Sequence, residues 1–314
     1  MPHLVTTLTL NPALDVACDA ARVVPLHKLR TSNATHDPGG GGINVARVIH
    51  ELGGGVRAIL LSGGVIGAYI EDLLRRQGLD VRSIPIAGTN RISMTVHDQA
   101  TGQEYRFVPA GPEVGDAEHA ACLTALNADR APWLVASGSL PPGLTPTAYA
   151  DITRAAVVRG QQVVLDTSGP ALRVALGQGL ALIKPSLEEF EALVGCKLPD
   201  PVAQDGAASR LVGEKAAARI AVSLGGAGAV LATADGVWRT PALPVRALGA
   251  VGAGDSFVAA MVLALARNAG PAEALAWGSA AGAAAVSTTG TAHPPRALVE
   301  ALFTQALSIT TQSR

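Results

Sequence analysis

Short runs of aliphatic and β-branched residues alternate along the chain with segments whose apolar positions recur every three to four residues. Runs at 4–10, 56–61, 133–136, 163–166, 182–184 and 220–224 are each followed by glycine or proline or by a helical pattern, so they read as strands joined by crossover helices. Ile66, Tyr69, Ile70, Leu73 and Leu74 repeat at helical spacing before Gly78 closes the segment. The pattern predicts an α/β fold with a mostly parallel central sheet flanked by helices. Two stretches break the rhythm. Residues 15–36 are a long connection with little helical periodicity, and 81–108 reads as strands, with alternation over 91–97, a turn at 98–102 and a return over 104–108. Insertions that carry their own strands often serve as lids or oligomer contacts. The expectation is therefore one domain over 1–314 with a small β-sheet lid built from 15–36 and 81–108. Ile92, Met94 and Val96 alternate onto one face, which a thin sheet cannot bury alone; a second copy of the chain, in a homodimer through the lid, would cover it. Alanine and glycine crowd 279–286, which predicts a closely packed late helix.

Composition narrows the classes. With 48% hydrophobic and 16% charged residues, 314 residues can bury a large core. The 24 basic and 25 acidic side chains leave a charge of -1, so no global field draws in nucleic acid. The first ten residues lack a basic start and a long apolar run, and the apolar run at 257–266 is far shorter than the ~20 residues that span a bilayer. No membrane partner is expected. Cys18, Cys122 and Cys196 are widely spaced, with no CxxC pair or nearby histidine, which argues against a zinc site and fits a reducing cytoplasm.

Two segments carry candidate chemistry. Gly252-Ala253-Gly254-Asp255-Ser256-Phe257 precedes an apolar helical run; small residues let the backbone approach an anion, and the first helical turn offers unpaired N–H groups with the positive end of the dipole. A transferring phosphoryl group would be held there, with Asp255 able to take a proton from an attacking hydroxyl. The same hexapeptide also reads as an ordinary helix cap. Pro38-Gly39-Gly40-Gly41-Gly42 runs straight into an apolar-periodic helix opened by Asn44. Four glycines cost backbone entropy, so such a loop needs positive φ or room for a ligand against the main chain; the plain alternative is a flexible linker. The chain has no GxGxxG after its first strand and no Gly-Lys-Ser/Thr, which argues against a dinucleotide-binding dehydrogenase and excludes a P-loop.

From end to end the chain resembles the phosphofructokinase B branch of the ribokinase-like carbohydrate kinase superfamily, its type 2 bacterial 6-phosphofructokinases above all. The likeness rests on the segments 7–15, 28–30, 38–47, 105–107, 137–143, 222–225 and 251–256 in family order. It implies ATP and Mg²⁺ as cofactors and a small sugar phosphate as the acceptor. Asp255 matches the family's catalytic base, and Gly252, Ala253 and Gly254 its anion hole. Asp15 and Asn44 match residues on the sugar hydroxyls, Gly39, Gly40 and Gly41 the sugar-facing loop, and Ser139 a further sugar contact. Lys28, Arg30 and Arg91 match positions that meet the substrate's existing phosphate. Lys184, Ser186, Ser223, Gly225 and Gly228 match the nucleotide side, with Ser279 and Ala283 near the adenine. Taken singly, most of these also read as turn formers, strand-end caps or solvated charges.

Two departures stand out. The family's Asn-x-x-Glu motif, which organises magnesium, reads Ser186-Leu187-Glu188-Glu189 here: Glu189 keeps the acid, and a shorter serine replaces the amide. Many relatives carry lysine where this chain has Gly41, and the all-glycine loop is closer to the 6-phosphofructokinase type. The implied activity is phosphorylation of fructose 6-phosphate at its C1 hydroxyl. Tagatose-6-phosphate kinase and 1-phosphofructokinase are the alternatives within the class, and a catalytically silent sugar-phosphate or nucleotide sensor lies outside it.

Overall fold

Elements alternate from the start in the computed structural model, which describes residues 3–249, 251–288 and 293–313. Strand β1 (Val5–Thr9) leads through β2 (Ala13–Ala20) and β3 (Thr31–Gly39) to helix α1 (Gly41–Glu51). Then follow β4 (Val56–Ser62), α2 (Gly64–Arg76), β5 (Asp80–Pro85), β6 (Arg91–Asp98) and β7 (Glu104–Phe107). The middle of the chain carries α3 (Asp116–Asn127), β8 (Trp133–Ser137), α4 (Ala148–Val158), β9 (Gln162–Asp166), α5 (Gly169–Ala175), β10 (Leu182–Ile183), α6 (Leu187–Val194) and α7 (Pro201–Gly213). It ends with β11 (Arg219–Ser223), β12 (Ala229–Thr233), β13 (Gly236–Thr240), α8 (Ala253–Ala266), α9 (Pro271–Val286), α10 (Arg296–Ile309) and β14 (Thr311–Gln312).

Among the described residues the large sheet has the order β14-β13-β12-β11-β10-β9-β8-β1-β4-β5. Pairing is parallel from β5 to β11, and β12, β13 and β14 close one edge antiparallel. All six runs singled out in the sequence are strands of its parallel part. Period-two burial divides the core into two layers. Val5, Val56, Leu60 and Val135 face α1, α8, α9 and α10, whereas Leu8, Ile59, Leu61, Leu134 and Leu165 face α3, α4, α6 and α7. In α8 every residue from Ser256 to Leu265 is buried, because α1 and α9 pack against the helix as well as the sheet. The small residues of 279–286 allow that approach: a Cβ on neighbouring Gly278 would meet the Phe257 backbone oxygen at 3.1 Å.

A second sheet has the order β3-β2-β6-β7. One face presents Asp15, Arg91 and Arg106, and the other presents Val16, Met94 and Phe107. Ile92, Met94, Phe107 and Val108 stay exposed, but the expectation for Val96 is corrected, because it is buried within the sheet by Cys18, Ala20, Val23 and Tyr105. The expected start of this sheet at residue 81 is corrected. Strand β5 pairs parallel with β4 over Arg57–Asp80 to Ser62–Pro85, so 80–85 is an edge of the large sheet, and the small sheet's second portion begins at Arg91. Cys18 and Cys122 are buried thiols, and Cys196 is exposed. No described helix is long and apolar enough to cross a membrane.

Candidate active site

Parallel strands all end on one side of a sheet, and that side gathers the polar groups. Thr9, Ser137, Asp166 and Ser223 close β1, β8, β9 and β11, and Lys184 follows β10. Gly252 faces these ends in the left-handed conformation, φ 73°, and turns the chain into α8; glycine adopts that geometry without steric cost. Asp255 thereby lies in the first turn. Its Oδ2 accepts a hydrogen bond from Asn44 Nδ2 at 2.8 Å. Burial pushes its proton affinity up to about 7; the charge of Asp166 adds to this, and the Asn44 hydrogen bond and the Lys184 cation oppose it. A carboxylate so poised exchanges protons near neutrality.

Lys184 is buried, with Nζ 3.4 Å from Asp166 Oδ1. It lies directly under the Gly252–Gly254 segment, since a Cβ on Gly254 would approach Nζ to 3.3 Å. Burial acts to lower its proton affinity, yet Asp166, Glu189 and Asp255 together hold it above the ordinary lysine value. A fixed cation, a run of small residues and a helix N-terminus thus converge where an anion would sit.

On one side of this point is a cavity of about 530 Å³ that Ser223, Gly225, Gly228, Ala253, Gly254, Ser279 and Ala283 help to line. On the other side is the glycine loop. Gly40 needs its positive φ of 118°, and Gly39 and Gly41 need their missing side chains: a Cβ would fall 2.1 Å from Asp15 Oδ2 at Gly39 and 2.2 Å from Ser137 Oγ at Gly41. The linker alternative is thereby removed, because the glycines let β1, β2 and β8 meet the start of α1. The Asp15 carboxylate makes no hydrogen bond among the described residues; burial raises its proton affinity, and the Arg106 and Arg91 charges partly oppose that.

The sequence matches the pfkB family carbohydrate kinase description over residues 9–297. The chain belongs to the pfkB family of carbohydrate kinases. Across 304 residues it is 41% identical to the ATP-dependent 6-phosphofructokinase isozyme 2 of Mycobacterium tuberculosis, covering 95% of this chain and 88% of that protein. The Escherichia coli isozyme 2 is 39% identical over 91% of this chain and 93% of its own. The crystal structure of Escherichia coli phosphofructokinase-2 in complex with fructose-6-phosphate superposes with a TM-score of 0.91 at 35% identity, covering 98% of this chain and 99% of that one.

Within this pfkB scaffold Arg91 and Ser139 line a further cavity of about 510 Å³. Arg91 is held rigidly: Nη1 donates to the Pro109 oxygen at 2.8 Å and Nη2 to the Asn11 oxygen at 2.9 Å, while its buried Nε has no partner. Asn11 Nδ2 in turn donates to Ser139 Oγ at 3.3 Å. Lys28 and Arg30 are not drawn into this network. They are exposed on the connection between β2 and β3 and make no hydrogen bond or ion pair among the described residues.

Ser186 and Glu189 form a reciprocal cap at the start of α6. The Glu189 N–H donates to Ser186 Oγ at 3.3 Å, and the Ser186 N–H donates to Glu189 Oε2 at 2.8 Å. Serine therefore keeps the local geometry in place of the family's asparagine. Sequence reasoning missed Asp166, whose Oδ2 accepts from Ser137 Oγ at 3.2 Å while Oδ1 holds Lys184. It also missed Arg106 beside Asp15. Asp166 ends a strand between two motif-bearing ones, and that position was the available signal.

Proposed function

We propose that this chain transfers the γ-phosphoryl group of ATP to the C1 hydroxyl of fructose 6-phosphate, giving fructose 1,6-bisphosphate and ADP. The observation that carries the reading is Asp255, a carboxylate with proton affinity near neutrality, hydrogen-bonded to Asn44 at the N-terminus of α8. The substrate assignment draws on the two 6-phosphofructokinase relatives and on the solved complex with fructose-6-phosphate. Asp255 takes the hydroxyl proton as the oxygen attacks in line, and the main-chain N–H groups of Gly252, Ala253 and Gly254 receive the charge of the moving phosphoryl group. Lys184 sits beneath them and stays charged throughout. Asp15, Asn44 and the Gly39–Gly41 backbone hold the sugar, and Arg91 and Ser139 hold its phosphate. Lys28 and Arg30 join them only if the β2–β3 connection moves or a second copy supplies them. Ser223, Gly225, Gly228, Ser279 and Ala283 flank the nucleotide.

The residues present fit magnesium. Glu189 Oε1 has no hydrogen-bond partner among the described residues, Asp166 is close by through Lys184, and no cluster of three ligating side chains occurs there; Mg²⁺ is usually bound by one or two carboxylates together with phosphate oxygens and water. Glu189, with Ser186 and Asp166, would hold it, and it would neutralise phosphate charge. The four-stranded sheet is read as a lid over the sugar, with its exposed Ile92, Met94 and Phe107 covered in a cytoplasmic homodimer.

A coupled ADP-release assay tests the acceptor across fructose 6-phosphate, fructose 1-phosphate, tagatose 6-phosphate and free fructose. Fructose 6-phosphate should give the highest kcat/KM. A higher value for any other acceptor reassigns the substrate, and no ADP release with any of them returns the chain to a sensor.

A further inference from the structure

Helix α1 buries Gly42, Ile43, Val45, Ala46, Val48 and Ile49, all small or apolar, and with them one cation, Arg47. Arg47 is 4% exposed, and its guanidinium reaches two other elements. Nη2 donates to Asp37 Oδ1 at 3.0 Å, Nη1 to the Pro38 oxygen at 3.4 Å and Nε to Gln77 Oε1 at 3.0 Å. Asp37 and Pro38 belong to β3 in the small sheet, and Gln77 closes α2. A buried ion pair is a weak source of stability, because apolar side chains of similar volume often serve as well or better; what it can fix is geometry.

The segment that Arg47 holds lies against Asp15. Asp15 stands directly opposite Asp37 across β2 and β3, and side chains so placed share one face of the sheet. A Cβ on Gly39 would fall 2.1 Å from Asp15 Oδ2, so the carboxylate rests on the Gly39 main chain. With no hydrogen bond of its own among the described residues, that carboxylate takes its place from the backbone of 37–39. Like charges directly opposite repel, and Arg47 answers the charge of Asp37. Burial is the main cause that raises the Asp15 proton affinity, with Asp37 adding to it, while Arg106, Arg91 and Arg47 oppose it. One turn earlier on α1, Asn44 holds Asp255, and Asn44, Arg47 and Gly252 close around one small space at the base of α8. A single helix thus grips both the start of α8 and the strand that seats Asp15.

We propose that Arg47 is a positioning residue for the sugar: without reaching the substrate, it ties β3 to α1 and α2 so that 37–39 seat the Asp15 carboxylate at the sugar hydroxyls. The proposal rests on the reading of Asp15 as a sugar contact and of the small sheet as a lid. Affinity falls in proportion to the fraction of molecules in the binding-competent arrangement, so a strand released from Arg47 that keeps its pose only about a tenth to a hundredth of the time weakens the sugar by roughly 10- to 100-fold.

Arg47→Met keeps the buried stem and removes the donors. Calorimetry should find fructose 6-phosphate bound roughly 10- to 100-fold more weakly, with ADP binding changed by less than about threefold and kcat at saturating sugar nearly kept. The kcat/KM for free fructose should fall by the same factor as for fructose 6-phosphate, since both sugars offer hydroxyls to Asp15; this separates Arg47 from a phosphate contact, whose loss harms only the phosphorylated sugar. Arg47→Lys, a point charge without the planar fork, should recover part of the affinity. Asp37→Ala removes one of the two bonds to β3 and leaves Arg47 in place, so it should weaken the sugar by a smaller factor and decides the matter if Arg47→Met does not fold. Unchanged sugar affinity in a folded Arg47→Met or Asp37→Ala protein overturns the proposal. An equal loss of ADP binding, or a loss confined to the phosphorylated sugar, does so too. If another acceptor has the highest kcat/KM in the parent, it replaces fructose 6-phosphate and the same ratios decide. If none turns over, the kinase reading fails while the calorimetric ratios still decide the role of Arg47.

Discussion

Asp255→Asn should make the protein more stable at neutral pH while stopping catalysis. The carboxylate's proton affinity is raised from 3.8 to about 7 on folding, so between those values the folded state holds a proton that the unfolded chain has released. A group bound more tightly by the folded state gives stability that is fully present below the unfolded value and declines as pH rises, flattening above about 7. Each pKa unit is about 1.4 kcal/mol, so burying Asp255 costs the fold about 4 kcal/mol at pH 8, less than half of that at pH 5, where the folded carboxyl keeps its proton and the unfolded one has lost it, and almost nothing at pH 3. Asparagine avoids this cost and can still accept the Asn44 hydrogen bond through its amide oxygen. The variant should therefore melt several degrees above the parent at pH 8, at roughly 1.5 °C per kcal/mol for a chain this large, and the gap should shrink by more than half at pH 5. Turnover should drop by at least ~10²–10⁴-fold, the usual worth of a general base. In the parent, kcat/KM should fall tenfold per pH unit below about 7, where Asp255 holds its proton. Calorimetric melts at pH 5 and 8 alongside ADP release measure both effects. A variant that melts below the parent at pH 8 would refute the charge-burial argument, and near-normal turnover in a folded variant would remove Asp255 from the role of base.

Other residues give separable outcomes. Asp166→Asn removes the partner of Lys184 and one charge that supports the Asp255 proton, so the acid limb of the kcat/KM profile should move to lower pH; an unmoved limb would mean that the two carboxylates do not communicate. Glu189→Gln should raise the magnesium requirement strongly and Ser186→Ala only mildly, although it is Ser186→Ala that breaks a cap contact worth ~1 kcal/mol, while the glutamine amide oxygen still accepts from the Ser186 N–H; equal magnesium effects in titrations of activity would show that the serine does more than cap. Arg91→Ala should raise KM for fructose 6-phosphate far more than for free fructose, because the latter has no phosphate to lose, and equal losses on both would remove the phosphate role. Light scattering should find a dimer at micromolar concentration, and a fully active monomer would leave the apolar face of β6 and β7 without its proposed cover.

The parallel core was legible because it is built from one repeated signal, an aliphatic run ending in glycine or proline. Strands β12 and β13 were missed: they form an antiparallel edge with no helix between them, so the alternating βα pattern does not mark them. Strand β5 was misassigned because Val81, Ser83 and Pro85 look like an edge strand of any sheet, and only packing on β4 decides which one. In the site, Asp255 and the glycine loop were legible because glycine clusters carry a backbone meaning. Asp166 was not, since a single aspartate after an aliphatic strand has no local signature, and its importance arises only when β9 is set between β8 and β10. The fixed pose of Arg91 likewise depends on Asn11 and Pro109, 80 and 18 residues away.

The position of β1 also bears on how the chain assembles during synthesis. This strand is made long before β8, yet it lies between β4 and β8, so its second neighbour does not exist until Trp133 has been polymerised. At about 5–20 residues per second, Val5, Leu8 and their apolar companions wait roughly 6–25 s with one edge unpaired. Nothing beyond β8 in the sheet can be laid down in order before that edge closes. The nascent protein is thus most vulnerable to aggregation after β1 and before β8 has been made, and holdase chaperones should engage it in that window and release it once β8 has emerged. Ribosome-bound chains truncated before and after residue 137 should differ sharply in chaperone occupancy, and equal occupancy would show that β1 is sheltered by other means.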